Sequence, residues 1–155
     1  MRALVQRVTE ASVRVDGRVT GQIGRGLLVL LGVGRADGRE QADRLWAKIS
    51  RMRVFADADG RTNLALGDVG GAVLVVSQFT LYADCRRGNR PSFTDAGDPA
   101  AARELYTYFC DLVRATTGEV QTGSFGADMS VALVNDGPFT IWLDTDDLAA
   151  GRPAR

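Results

Sequence analysis

Gly71-Ala72-Val73-Leu74-Val75-Val76-Ser77-Gln78-Phe79-Thr80-Leu81-Tyr82-Ala83-Asp84 is the stretch that decides the fold. Ala72 to Val76 runs without a polar break after a glycine pair, the pattern of a short strand buried on both faces. The run then passes into Ser77, Gln78 and Thr80 around Phe79. Hydrogen-bonding groups clustered where a core strand ends sit on a rigid frame, and sites are often built there. The plainer reading is a strand end whose polar groups only satisfy the backbone, and these residues alone leave both open.

Working outward, Arg2 to Val8 alternates as a strand. Ser12 to Val15 and Arg18 to Ile23 flank Asp16-Gly17, a strong hairpin signal because both turn positions favour positive φ. Leu27 to Val33 reads as a second buried strand. Gly32-Val33-Gly34 follows it, but the third glycine of a dinucleotide fingerprint would fall at Asp37, so a nucleotide site is rejected. Asp37-Gly38-Arg39-Glu40 has capping-box spacing with Asp37 as N-cap, opening a helix that carries Ala42, Leu45, Trp46, Ile49 and Met52 on one stripe. Asp57 to Gly60 is a turn, since its glycine is misplaced for a calcium loop. Asp98-Pro99 caps a second helix that stops at Gly118. Met129 to Val134 and Phe139 to Leu143 are strands separated by an Asn135-Asp136-Gly137-Pro138 turn, and the residues after 145 form a frayed tail. The expected architecture is one α+β domain over residues 1–145, with two main helices on an antiparallel or mixed, barrel-like sheet.

Composition narrows the chemistry. The 155 residues carry 19 basic and 19 acidic side chains, which argues against wrapping a long nucleic acid but permits gripping a short end. Cys85 and Cys110 are too few for a disulfide framework and fit a reduced, cytoplasmic setting. The longest apolar run, Leu27 to Leu31, is too short to cross a bilayer, so no membrane partner is expected. There is no histidine. That removes the Ser-His-Asp triad, the Cys-His pair and histidine metal ligands. The loop Cys85-Arg86-Arg87-Gly88-Asn89-Arg90 reads equally as a solvated loop or as a grip on phosphates near the exit of the central strand.

Two segments together resemble one family. Ser77-Gln78-Phe79-Thr80-Leu81 and Asn135-Asp136-Gly137-Pro138-Phe139-Thr140 are similar to the paired signatures of the D-aminoacyl-tRNA deacylases. Gln6-Arg7-Val8, Arg90-Pro91-Ser92-Phe93, Gln121-Thr122-Gly123 and Ala127-Asp128-Met129 extend the likeness over most of the chain. Phe139 departs from it, standing where the family usually has valine. The resemblance implies hydrolysis of the ester joining a D-amino acid, or wrongly attached glycine, to the 3′ adenosine of tRNA. It implies no cofactor and no metal. It also implies a homodimer in which one subunit supplies the Ser-Gln-Phe-Thr strand end and the other its Gly-Pro, with that peptide bond cis.

These residues suit that chemistry. Backbone N–H groups at Phe79 and Thr80 are the natural oxyanion hole, with Gln78 binding the carbonyl side or orienting water. Thr80 lacks a neighbouring base, so positioning the substrate is favoured over nucleophilic attack, and the ribose 2′-OH becomes the activating group. Ser77 backs these groups, and Phe79 and Met129 wall the pocket. Gly137, Pro138, Phe139 and Thr140 are expected against the substrate, held by Arg7 and Asn135. A non-catalytic, dimeric RNA-end binder is the alternative of another class.

Overall fold

The computed structural model describes residues 1–149. Its elements are β1 (Arg2–Val15), β2 (Arg18–Ile23), β3 (Gly26–Gly32), α1 (Arg39–Arg51), β4 (Phe55–Ala56), β5 (Thr62–Leu64), β6 (Ala72–Ser77), α2 (Pro99–Thr117), β7 (Gln121–Thr122), β8 (Ser130–Asp144) and α3 (Thr145–Ala149). The main sheet is mixed, in the order β2-β1-β3-β6-β7, with β8 also paired to β1. β3, β6 and β7 run parallel, and the β1 pairings are antiparallel. A Cβ at Gly21 would collide with the Thr122 carbonyl oxygen. Glycine there lets β2 close against β7, so the sheet curls into a nearly closed barrel.

The two faces of the sheet bury different sets. Ala3, Val5, Leu27, Val29, Leu31, Val73 and Val75 pack under α1 and α2, with Leu45, Trp46, Ile49, Phe109 and Val113. Val8, Ala11, Val13, Leu28, Leu74 and Val76 fill the inside of the curl. β3 and β6 are therefore buried on both faces, which is why they read as unbroken apolar runs. Each such side chain contributes about 1.5–3 kcal/mol of burial. In β1 the register shifts between Gln6 and Val8 and again between Val8 and Glu10. The second shift flips the alternation, so Ala11 and Val13 continue the inner face begun by Val8.

Several expectations hold and several are corrected. Asp16 and Gly17 have φ of 49° and 78° in the β1–β2 hairpin. The Asp98 carboxylate accepts from the Ala100 and Ala101 N–H groups at 3.1 and 3.3 Å, capping α2, which ends at Gly118 in the left-handed region. Asp37 is not a cap. Its carboxylate accepts the Gly34 N–H at 2.6 Å and the Tyr82 hydroxyl at 3.1 Å, leaving Gly38 as N-cap of α1 with its N–H on Gln41 Oε1. The segments Arg2–Val8 and Ser12–Val15 are one continuous strand, because β8 pairs along both.

The Asn135–Pro138 segment is not a reversal between two strands. It lies within β8, at the place where the register against β1 shifts. Residues 146–149, expected in the tail, belong to α3, which starts at Thr145, buried with its N–H on the Met1 carbonyl at 2.9 Å. The rest of the expected tail, 150–155, lies outside the described residues. No helix among the described residues is long and apolar enough to cross a membrane.

Candidate active site

β6 ends at Ser77, and the chain turns at once into a 3₁₀ segment, Phe79–Tyr82. The turn is fixed from both sides. The Gln78 N–H reaches the Leu31 carbonyl on β3 at 2.8 Å, and Ala83 donates to Thr80 O at 3.0 Å. Arg2 donates to Leu81 O at 3.0 Å, and its guanidinium lies 4.3 Å from the Tyr82 ring centroid. The Tyr82 hydroxyl is held on Asp37, and burial first, then that carboxylate, pushes its pKa well above the ordinary phenol value. Among the described residues the Gln78, Leu81 and Ala83 amides have acceptors within the chain. The Phe79 and Thr80 N–H groups, at the start of the segment, have no earlier carbonyl in the segment to bond. The Gln78 side-chain amide donates to Thr80 Oγ1.

A cavity of about 650 Å³ opens beside this turn. Ser77, Gln78, Phe79 and Met129 line it, with Phe93 on one side and Tyr106 and Phe125 on the other. Tyr106 is anchored by donating to the Val75 carbonyl at 2.8 Å, and its ring tilts against Phe125. Phe79 is 58% exposed, and Phe93 meets it edge-on with ring centroids 5.0 Å apart. A second cavity of similar volume, about 660 Å³, lies between α1, α2 and Gly67–Gly71 and contains none of the residues flagged from sequence.

Thr80 sits in the same turn but is absent from the cavity lining, and the remaining flagged residues gather elsewhere, on the β1–β8 ladder. The Gly137-Pro138 peptide bond is cis, and Gly137 has a φ of 127°. Both residues are exposed. Asn135 closes this corner by donating to Thr140 Oγ1 at 2.7 Å and accepting the Phe139 N–H at 2.9 Å. Arg7 braces it from β1, donating to Asp136 O at 3.0 Å and to Val54 O, with its guanidinium 4.5 Å from the Phe139 ring centroid. A Cβ on Gly137 would fall 2.9 Å from Arg7 Nη2, so this position needs glycine both for space and for backbone angle. Gly137, Pro138, Phe139, Thr140, Arg7 and Asn135 are absent from the lining of the cavity that holds Ser77, Gln78, Phe79 and Met129.

A family model described as D-Tyr-tRNA(Tyr) deacylase matches residues 4–144. The chain belongs to this deacylase family. A protein of Anaeromyxobacter dehalogenans named D-aminoacyl-tRNA deacylase is 60% identical over 94% of this chain and 97% of its own. One of Escherichia coli O81 with the same name is 56% identical over 92% and 99%. Among solved structures, one titled c-Myc DNA Unwinding Element Binding Protein superposes with a TM-score of 0.88 at 40% identity, covering 93% of this chain and 98% of its own. A probable eukaryotic D-amino acid tRNA deacylase has a TM-score of 0.82 at 17% identity, covering 92% and 97%, a likeness of fold.

Within this deacylase fold, sequence reasoning missed Phe93, Tyr106 and Phe125 as pocket walls. Phe93 was within reach, since it follows the arginine loop directly. Tyr106 lies inside the second helix and Phe125 before the last strand, and only tertiary packing turns them toward the cavity.

Proposed function

We propose that this protein hydrolyses the ester joining a D-amino acid to the 3′-terminal adenosine of tRNA, and the same ester of glycine, in sites shared by two copies of the chain. The observation that carries the reading is the division of the site. One chain presents a cavity lined at the strand end by Ser77, Gln78 and Phe79, and the Gly137-Pro138 corner lies outside that lining. A second copy brings the two together. The surface supports such pairing: β8 is a 15-residue strand whose one partner among the described residues is β1, with Val134 and Trp142 exposed. A long open edge with apolar side chains is the kind of surface that proteins cover.

In the assembled site the substrate carbonyl faces the Phe79 and Thr80 amides. Water adds to the carbonyl carbon, and the negative charge that develops on oxygen is met by donors that need no reorganisation, each worth about 3 kcal/mol. The bond from the carbonyl carbon to the ribose 3′ oxygen then breaks, and that oxygen takes a proton. The products are free amino acid and tRNA with its 3′-OH restored. The ribose 2′-OH, or a water it holds, activates the attack. Thr80 is a poor nucleophile here, since its neighbour is an amide, Gln78, with no basic lone pair to take the proton. Thr80 and Gln78 position the substrate.

Selection is steric. The exposed Gly137-Pro138 corner presents main chain, which cannot rotate aside, and Pro138 has a locked φ and no N–H. An L side chain runs into this wall, a D side chain points away from it, and glycine has nothing to reject. Adenosine binds against Phe79 and Met129. A role in proofreading for translation, in the cytoplasm, follows from the substrate.

The test compares purified protein on tRNA charged with the D- and L-forms of one amino acid, and on a 3′ end lacking the 2′-OH. Fast release of the D-form, slow release of the L-form and poor turnover of the deoxy substrate are expected, with Thr80→Ala retaining much of the rate. Loss of all activity in Thr80→Ala with normal deoxy turnover points to a threonine nucleophile. Binding of tRNA without any turnover leaves an RNA-end binder.

A further inference from the structure

The chain between the catalytic turn and Phe93 forms a closed hairpin. Asp84 and Ser92 exchange two backbone hydrogen bonds, 2.7 and 2.9 Å long, two residues beyond the end of the Phe79–Tyr82 turn. Gly88 at the far end has a φ of 65°. The hairpin holds three arginines and no acidic residue between Cys85 and Phe93, in a protein whose net charge is zero. Their situations differ. Arg86 is taken up at the root, where its Nε and Nη2 donate to the two Asp84 carboxylate oxygens at 2.8 and 2.7 Å and its N–H donates to Oδ1 at 3.0 Å. These bonds hold the Asp84 carboxyl well below the usual carboxylate range, at about 2. Arg87 and Arg90 are exposed and have no acidic partner among the described residues.

The returning arm of the hairpin delivers Phe93 onto Phe79 at the cavity mouth. Exposed aromatic faces beside unpaired cations are the combination that grips single-stranded nucleic acid: rings receive bases and guanidiniums receive phosphates. We propose that Arg87 and Arg90 bind backbone phosphates of the single-stranded 3′ end of the RNA, just upstream of the terminal adenosine. This assignment rests on the deacylase reading for the identity of the RNA. It adds contacts outside the cavity, on the chain upstream of the terminal adenosine. Arg86 acts through Asp84 as a positioning residue that stiffens the root.

The experiment measures binding of uncharged tRNA by fluorescence anisotropy, and kcat/KM on a D-aminoacyl-tRNA and on the matching D-aminoacyl-adenosine, from 50 to 200 mM salt. It uses the full chain and the Arg87→Gln/Arg90→Gln double variant. Two single-strand phosphate contacts at about 0.7 each should make the plot of log Kd against log salt shallower by about 1.4. The advantage of the parent protein on tRNA should therefore shrink about sevenfold across that range. On the adenosine ester no such salt-dependent difference is expected, and the Arg87→Lys/Arg90→Lys variant should recover most of the slope. An unchanged slope, or equal losses on both substrates, overturns the assignment. A changed slope in a protein that hydrolyses neither substrate supports the hairpin assignment and removes the deacylase reading.

Discussion

Replacing Arg7 by methionine tests how the Gly137-Pro138 corner is held. Arg7 is 12% exposed in its side chain, and Asp136, the carboxylate 3.2 Å from its Nε, is 45% exposed. That ion pair is screened and contributes about 0–1 kcal/mol. The larger loss comes from the Asp136 and Val54 carbonyls, each of which loses a charged donor at a cost of about 1–3 kcal/mol. Contact with the Phe139 ring adds about 0.5–1 kcal/mol. Methionine keeps most of the buried stem, so the net expectation is about 3 kcal/mol. In a domain of this size that lowers Tm by about 6–12 °C. Lysine should recover only part, since a point charge cannot bridge two carbonyls as the guanidinium fork does. With the corner released, kcat/KM on D-aminoacyl-tRNA should fall about a hundredfold. Asp136→Asn should change Tm little. Thermal unfolding by circular dichroism and a deacylation assay read both effects. A Tm within about 1 °C of the parent together with undiminished activity would refute this account of the brace.

Phe79→Pro removes one oxyanion donor at a position where the turn tolerates proline, and kcat should fall about 10²–10³-fold, while Phe79→Leu keeps the amide and most of the rate. Equal rates in the two variants would mean that this amide does not face the carbonyl. Gly137→Val puts a β-branched side chain at a φ of 127° and against Arg7, so activity should vanish in a protein that still shows the parent's secondary structure. An active variant would place the corner away from the substrate. Cys85 is exposed, whereas burial pushes the Cys110 thiol up to about 11. One thiol per chain should alkylate quickly at pH 8 and the second only after unfolding. Because Cys110 has a raised pKa in the fold, its contribution to stability is whole below about 9 and is lost as pH rises toward about 11. Tm should fall over that window, and less so in Cys110→Ala.

The parts of this fold that local sequence encodes were legible. Unbroken aliphatic runs mark β3 and β6 because both faces of those strands are buried, and Asp98-Pro99 and Gly118 bracket α2 through cap chemistry that needs only neighbouring residues. Features decided by distant partners were not legible. Asp37 has the spacing of a cap, but its carboxylate is drawn to the Met1 ammonium and the Tyr82 hydroxyl, which only the fold brings near. Asn135-Asp136-Gly137-Pro138 has the composition of a chain reversal, yet both of its flanks pair with one long strand, so it becomes an irregularity inside β8. The residues after 145 look like a tail by composition, yet 146–149 continue a short helix that starts at Thr145, which is buried and bonded to Met1. The turn at the end of β6 was readable as an abrupt change from apolar to polar at Ser77. Its separation from the Gly-Pro corner within one chain is not written in local sequence, although the family resemblance implied it.

Complementation between two inactive variants tests the shared site most directly. Phe79→Pro and Gly137→Val proteins, each inactive alone, are unfolded together in equal amounts, refolded and assayed on D-aminoacyl-tRNA. If each site takes its turn from one copy and its corner from the other, every mixed dimer regains one intact site, and activity should return to about a quarter of the parent's. If the turn and the corner of the same chain formed the site, no mixture could restore it, and activity at the background of the two variants would contradict the account.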